Sequence, residues 1–296
     1  MCSINMNSAM RTCVITGANS GIGKSAAHQL ADKDWRVIMV CRNLAKAQNV
    51  CDIIKNETGN EQVFVMQADM SLTADIKRFT SEYKRKFDTL DVLINNAADF
   101  DLSRKKPLIT AEGNEVQFAT NLLAPFMLGQ TLLPLLRQSK DGRIINISSR
   151  GLIAFPNIKF DFDNIRAEKS YSPAKTYYQT KLGLLMLSLM MQRRLADYGV
   201  AVYAVRVTNV RLDLARYPNI SPILKAMYRI KSCFSISPDD MAKVYVALAA
   251  GERKEGLYYD EKMREVKCNK NAYNRKAQER LWGLCEYLTS ANAADG

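Results

Sequence analysis

One histidine, two tryptophans and no long uncharged apolar run set the first limits on this 296-residue chain. The single histidine, His28, lies in the helix-like stretch AAHQLA, and no partner residues mark a metal site around it, so no metal is expected. No run of about 18 apolar residues is free of charge, which leaves no candidate for an integral membrane span. The opening MCSINMNSAMR has no apolar signal core, and residues 1–10 read as a short tail. Cysteines are seven, at 2, 13, 41, 51, 233, 268 and 285, with no Cys-x-x-Cys spacing. An odd number cannot all pair internally, so reduced thiols and a cytoplasmic location are expected. Repeats, low-complexity tracts and linkers are also missing, which points to one domain over residues 11–290.

What is present is ordinary globular material, 47% hydrophobic and 24% charged, enough for one substantial core. Lysine and arginine number 42 against 30 acids, a formal charge of +12. The cations lie along helical stretches (KRKF, RNLAK, EKMREVK, NRKAQER) among acids, and no zinc-finger or RNP signature accompanies them. Nucleic acid is therefore not an expected partner; solvated helix faces and attraction for an anionic cofactor account for the charge. Apolar, β-branched runs at 11–17, 35–41, 62–68, 90–96, 142–149, 200–207 and 256–260 read as strands. Helices are expected to begin near Ile22, Leu44, Thr73, Glu112, Pro173 and Pro238, the last capped by Ser237 with two acids in its first turn. This alternation predicts an α/β fold: a doubly wound parallel sheet of about seven strands flanked by helices.

Directly after the first strand comes TGANSGIGK, residues 16–24. Gly17, Gly21 and Gly23 allow a tight turn and close approach of a ligand, and the helix start at Ile22 offers free N–H groups to a pyrophosphate. Gly23-Lys24-Ser25 follows, but the Walker spacing needs a glycine at the position of Ala18, which disfavours an ATP loop. The second strand ends in Cys41-Arg42-Asn43. A carboxylate there would hold a ribose 2′-hydroxyl and repel a 2′-phosphate. Arg42 can grip the phosphate instead, which favours NADP(H) over NAD(H); the plain alternative is a surface arginine on a loop.

The stretch SYSPAKTYYQTK, residues 170–181, holds Tyr-x-x-x-Lys twice. Pro173 belongs in a first helical turn with Ser172 as cap, so Tyr171 precedes the helix and need not share a face with Lys175. Tyr177 and Lys181 lie one turn apart inside it, while Tyr178 has only Leu182 at that offset. A free tyrosine has a pKa of about 10, and a neighbouring ammonium stabilises its phenolate toward the working pH. Tyr177 is the expected acid/base, with Lys181 beside it.

Taken with Asp69, Asn95-Asn96-Ala97-Ala98, Asn121 and Ser148-Ser149 in their order, these motifs resemble the short-chain dehydrogenase/reductase superfamily. TGANSGIGK, CRN, RIINISS, EKSYS and QERLWGLCEYLT resemble its retinol-dehydrogenase and protochlorophyllide-reductase-like branch. The resemblance spans roughly residues 10–290. It implies a single-domain Rossmann fold and an NADP(H)-dependent oxidoreductase acting on a small carbonyl or alcohol substrate of apolar character. Ser149 would then bond the substrate oxygen and Asn121 would hold a water of the proton relay; a mid-helix asparagine that merely satisfies backbone is the alternative. Cofactor contacts carry over to Gly17, Asn19, Ser20, Gly21, Ile22, Gly23, Arg42, Asn43, Asp69, Met70, Asn95, Ala97, Thr208 and Val210, together with Tyr177 and Lys181. Two departures stand out: Ala98 replaces a glycine, and Val207-Thr208 replaces a Pro-Gly. Residues 212–236 fall where the family builds a cover over its site, and a substrate lid is expected there, with Ile223, Met227, Ile230 and Phe234 on one helical face. The same machinery would serve C=C reduction, or a regulator that binds NADP(H) without turnover. A membrane-surface or RNA-binding role through the positive charge is a third class. Related enzymes occur as monomers, dimers or tetramers, so a homo-oligomer is compatible with the pattern.

Overall fold

The computed structural model of the chain describes residues 10–211 and 235–291. The tail expected at 1–10 therefore lies outside the described residues except for Met10, and the lid expected at 212–236 does so except for Ser235 and Ile236.

Seven parallel strands form one sheet: β1 (Thr12–Thr16), β2 (Arg36–Cys41), β3 (Val63–Gln67), β4 (Val92–Asn95), β5 (Arg143–Ser149), β6 (Ala201–Val207) and β7 (Tyr258–Tyr259), in the order β3-β2-β1-β4-β5-β6-β7. Alternate residues on each strand face opposite sides. Met39, Ile15, Ile94, Ile145 and Tyr203 are mutual neighbours across one face. They pack against α1 (Gly21–Ala31), α2 (Leu44–Thr58) and α8 (Pro238–Ala250). One residue along, Ile38, Val14, Leu93, Ile144 and Val202 form the row on the other face. That row meets α3 (Thr73–Lys86), α5 (Ala124–Thr131), α7 (Pro173–Leu195) and α9 (Arg275–Ala291). Each such side chain, fully buried, contributes about 1.5–3 kcal/mol. Two cores, one per face, explain why the strands read as nearly continuous apolar runs.

The helix starts follow local chemistry. Asn43 accepts from Lys46 N at 2.9 Å before α2, Ser172 accepts from Lys175 N at 3.4 Å before α7, and Ser237 accepts from Asp240 N at 3.0 Å before α8. The helix expected near Glu112 instead begins as α4 (Val116–Phe118), with Glu115 capping the Phe118 N–H at 2.9 Å. Glu112 has a different use: its carboxylate accepts from Thr73 N and Ala74 N at 2.7 and 2.9 Å, capping α3 from 38 residues away. After α4 the chain widens into a π turn, Ala119–Leu123, before α5 and the short α6 (Leu133–Gln138). The stretch EKMREVK, residues 261–267, is a turn returning onto β7 rather than a helix. Asp260 accepts from Lys262 N and Arg264 N at 2.9 and 3.0 Å, so the backbone donors a helix would use are already taken.

From β1 the chain proceeds to β2 and β3 on one side, then crosses to β4 on the other. At that reversal the loops after β1 and β4 separate, and a crevice opens beyond their carboxyl ends.

Candidate active site

The glycine turn sits in this crevice and its backbone explains its residues. Gly17 has φ +67° and Gly21 φ +55°, a region unfavourable to residues bearing a Cβ. Gly23 is required for space: a Cβ there would collide with the Asn96 side chain and lie 2.7 Å from Gly17 O. Asn96 is the strut of the turn, donating through Nδ2 to Thr16 O and Gly17 O at 2.9 and 3.3 Å. The buried Tyr245 hydroxyl of α8 lies 3.5 Å from Asn96 Oδ1. Thr16 Oγ1 in turn accepts from Asn96 N and Ala97 N at 3.0 and 2.9 Å. Helix α1 starts after Ser20 with no side-chain cap and no acid in its first turn, leaving its N-terminus suited to an anion. Ser20 is the N-cap position, Asn19 precedes it and Ile22 lies in the first turn.

At the end of β2, Arg42 is largely exposed, 77% for its side chain, with Asp69 Oδ2 3.5 Å away. Asn43 is engaged as the α2 cap. Asp69 also ties down its own loop, accepting from Ser71 N and Oγ at 2.9 and 2.8 Å. The Met70 side chain packs into the core. Asn95 faces inward as well, donating to Asn146 Oδ1 at 2.8 Å, while Asn146 donates to Ser188 of α7 at 2.8 Å. The loop after β4 and the glycine turn touch directly, since a Cβ on Gly17 would stand 3.0 Å from the Ala97 Cα. These residues would suit a dinucleotide with an additional phosphate, through the uncapped start of α1 and the exposed guanidinium of Arg42.

Tyr177, Lys181, Asn121 and the end of β5 converge at the other side of the crevice. Lys181 is buried, and its Nζ donates to Ile147 O at 2.8 Å, two residues before Ser149. Burial pushes its pKa down to about 7. The same Nζ lies 5.5 Å from the Tyr177 ring centroid, so the two side chains are neighbours on one face of α7. Phe100 packs against the Tyr177 ring at 4.3 Å and Tyr178 meets it edge-on at 5.2 Å. Tyr178 is itself held between Phe155 and the backbone at Gly151, where any Cβ would strike its ring. Ser149 is partly exposed, its Oγ accepting from Gly151 N at 3.1 Å; Ser148 is buried against Lys181 O.

Asn121 occupies the π turn, fully buried. It clasps the Asp99 backbone at both groups, accepting from N at 2.8 Å and donating to O at 3.0 Å, and it reaches Thr180 Oγ1 at 3.2 Å. Asp99 is held in turn by Arg104 at 2.7 and 3.2 Å. Tyr171 precedes α7. Its shielded hydroxyl faces Arg104, which pulls its pKa down, while burial, the larger effect, raises it. After β6, Thr208 Oγ1 accepts from Arg150 at 3.1 Å, and Val210 pairs with Ile236 in a parallel bridge. The residues that sequence reasoning omitted are Asn96, Thr16, Thr180 and Tyr245. Thr16, Asn96 and Thr180 lie within the motifs above and Tyr245 does not, but nothing local marks any of these contacts, because the partners are distant in sequence.

Residues 11–158 match the family description "short chain dehydrogenase". Retinol dehydrogenase 12 of Homo sapiens is 34% identical over 292 residues, covering 97% of this chain and 89% of that protein. Retinol dehydrogenase 11 of Mus musculus is 31% identical with the same shares. Among solved structures, a metagenomic short-chain oxidoreductase in complex with NADP is similar at a TM-score of 0.62 and 25% identity, over 86% of this chain and 96% of that one.

Proposed function

The chain belongs to the short-chain dehydrogenase family, in its retinol-dehydrogenase-like branch, and on that premise we propose that Tyr177 exchanges the proton as a hydride passes between NADP(H) and a carbonyl/alcohol pair. The enzyme is an oxidoreductase, as its family is. The observation that carries the residue assignment is the Tyr177–Lys181 pair on one face of α7, with Lys181 anchored to the carbonyl of Ile147. Relatives named for retinol, an alcohol, favour carbonyl/alcohol exchange on an apolar small molecule over C=C reduction or cofactor sensing without turnover.

The bound nicotinamide supplies or accepts the hydride; the chain supplies the rest. Tyr177 Oη gives its proton to the substrate oxygen in reduction and takes it back in oxidation. Lys181, when protonated, stabilises the phenolate left behind. Ser149 Oγ, partly exposed at the end of β5, donates a hydrogen bond to the substrate oxygen. Asn121 fixes the loop after β4 to α7 through Asp99 and Thr180 and supports the proton relay at that junction. Phe100 and Tyr178 present an apolar wall around the phenol. The catalytic unit is a single domain over 11–290, and its five described cysteines, all free and buried, suit a cytoplasmic location.

The test is NADPH oxidation with retinal and a series of aldehydes. Tyr177→Phe should lower kcat by at least about 100-fold while the NADPH Kd stays within about threefold, because only the phenolic oxygen is lost. Tyr171→Phe should keep most activity; the reverse result would transfer the role to Tyr171.

A further inference from the structure

Beside Ser149, at the carboxyl ends of β5, β6 and β7, lies a cavity of about 310 Å³. Its size is at the small end for a ligand site. Its lining includes the apolar Leu152, Ile153 and Pro156 and the cationic Arg206, Lys267 and Lys270. Of the described residues that line it, three are cations and none is a carboxylate.

Arg206 is the informative member. Arg206 Nη2 donates to Asp260 Oδ2 at 3.4 Å, but Asp260 accepts its shorter bonds from Arg264, at 2.9 and 2.7 Å. Arg206 Nε is shielded from solvent and has no hydrogen-bond partner. A buried donor on a charged group without an acceptor is costly, and an anionic oxygen in the cavity would remove that cost. Lys267 and Lys270 are exposed at the rim and add positive potential there. Ile153, also in the lining and 59% exposed, is a large apolar side chain left in water where a hydrocarbon would cover it.

We propose that this cavity receives the anionic head, a carboxylate or phosphate monoester, of a substrate whose remaining body is apolar. The inference rests on the reading above, since it places the reacting carbon at Tyr177 and the charged end beyond Ser149. It narrows the substrate class from apolar carbonyls and alcohols to amphipathic ones.

Binding can be measured separately from turnover. Titration calorimetry on the full chain saturated with NADPH, with which none of the three can react, would compare decanoate, decyl phosphate and decanol. At least one anion should bind about tenfold or more tightly than decanol, with added salt narrowing the gap. In Lys267→Ala/Lys270→Ala the ratio should fall toward one; the comparison of decanoate with decyl phosphate identifies the head group. Equal binding of all three ligands, or an undiminished ratio in the double variant, would overturn the proposal. A parallel assay follows NADPH oxidation with decanal and 10-oxodecanoate. If neither is turned over, the substrate reading at Tyr177 fails, while the calorimetric ratio still decides the cavity's preference.

Discussion

Arg42 is a charge placed on a loop with little to hold it but Asp69, 3.5 Å away and less exposed. Exposed pairs of this kind contribute little to stability, so the arginine is available for a ligand. On the proposal that the 2′-phosphate alone uses the guanidinium, Arg42→Ala should weaken NADPH binding by about 10- to 100-fold and NADH by less than about threefold. Fluorescence titration of both cofactors decides this; equal losses would remove Arg42 from phosphate recognition. At this scale the sequence was readable wherever chemistry is local. Pro173 and Ser172 placed the α7 start, and with it Tyr177 and Lys181 one turn apart. Asn96 was not readable as a strut, because its partners Thr16 and Gly17 lie 80 and 79 residues earlier.

Elements show the same division in the segment AEGNEVQF, residues 111–118. Glu112 and Glu115 are chemically alike, yet one caps α3 at the surface and the other is fully buried as the cap of α4. No spacing rule distinguishes them; the fold decides which helix each carboxylate meets. Burial raises the Glu115 pKa to about 7, while its bonds to backbone N–H groups and the nearby Arg104 oppose the rise. Because the folded value exceeds the ordinary 4.5, the protonated carboxyl suits the folded state, and stability is lost as pH climbs from about 4.5 through 7. Glu115→Gln keeps a carbonyl for the cap without a charge to bury. The variant should match the wild type near pH 5 and exceed it at pH 8 by about 3 kcal/mol at most. Denaturation midpoints at the two pH values measure the difference; parallel pH curves would show that the cost is met elsewhere.

For the whole molecule, the family description ends at residue 158, but the core does not. Trp282 of α9 is buried, with its ring edge-on to Phe126 of α5 at 5.0 Å and Arg194 of α7 over its face at 4.2 Å. Leu281 and Cys285 lie in the same core as strand residues Val14 and Ile144. Trp282→Ala should cost about 3–5 kcal/mol, read from urea unfolding followed by circular dichroism. A loss under about 1 kcal/mol would mean that α9 is peripheral to folding. The parallel, doubly wound sheet of about seven strands was legible from the alternation of strands and helices. The turn at 261–267 was not, because its charges mimic a solvated helix while Asp260 captures the backbone.

The bridge between Val210 and Ile236 brings the two ends of a long stretch of chain back to one point, with Arg211 N bonded to Ile236 O and Ile236 N to Asn209 O, both at 3.0 Å. A stretch with fixed ends can be treated as a cassette. Doubling the length of a closed loop adds only about 0.6 kcal/mol of closure entropy, so inserts of other lengths are cheap so long as their ends meet. Register, glycine turn and Tyr177 all lie outside that interval. Exchange of the stretch between these anchors, in evolution or in a chimera, therefore need not disturb the sheet register or α7.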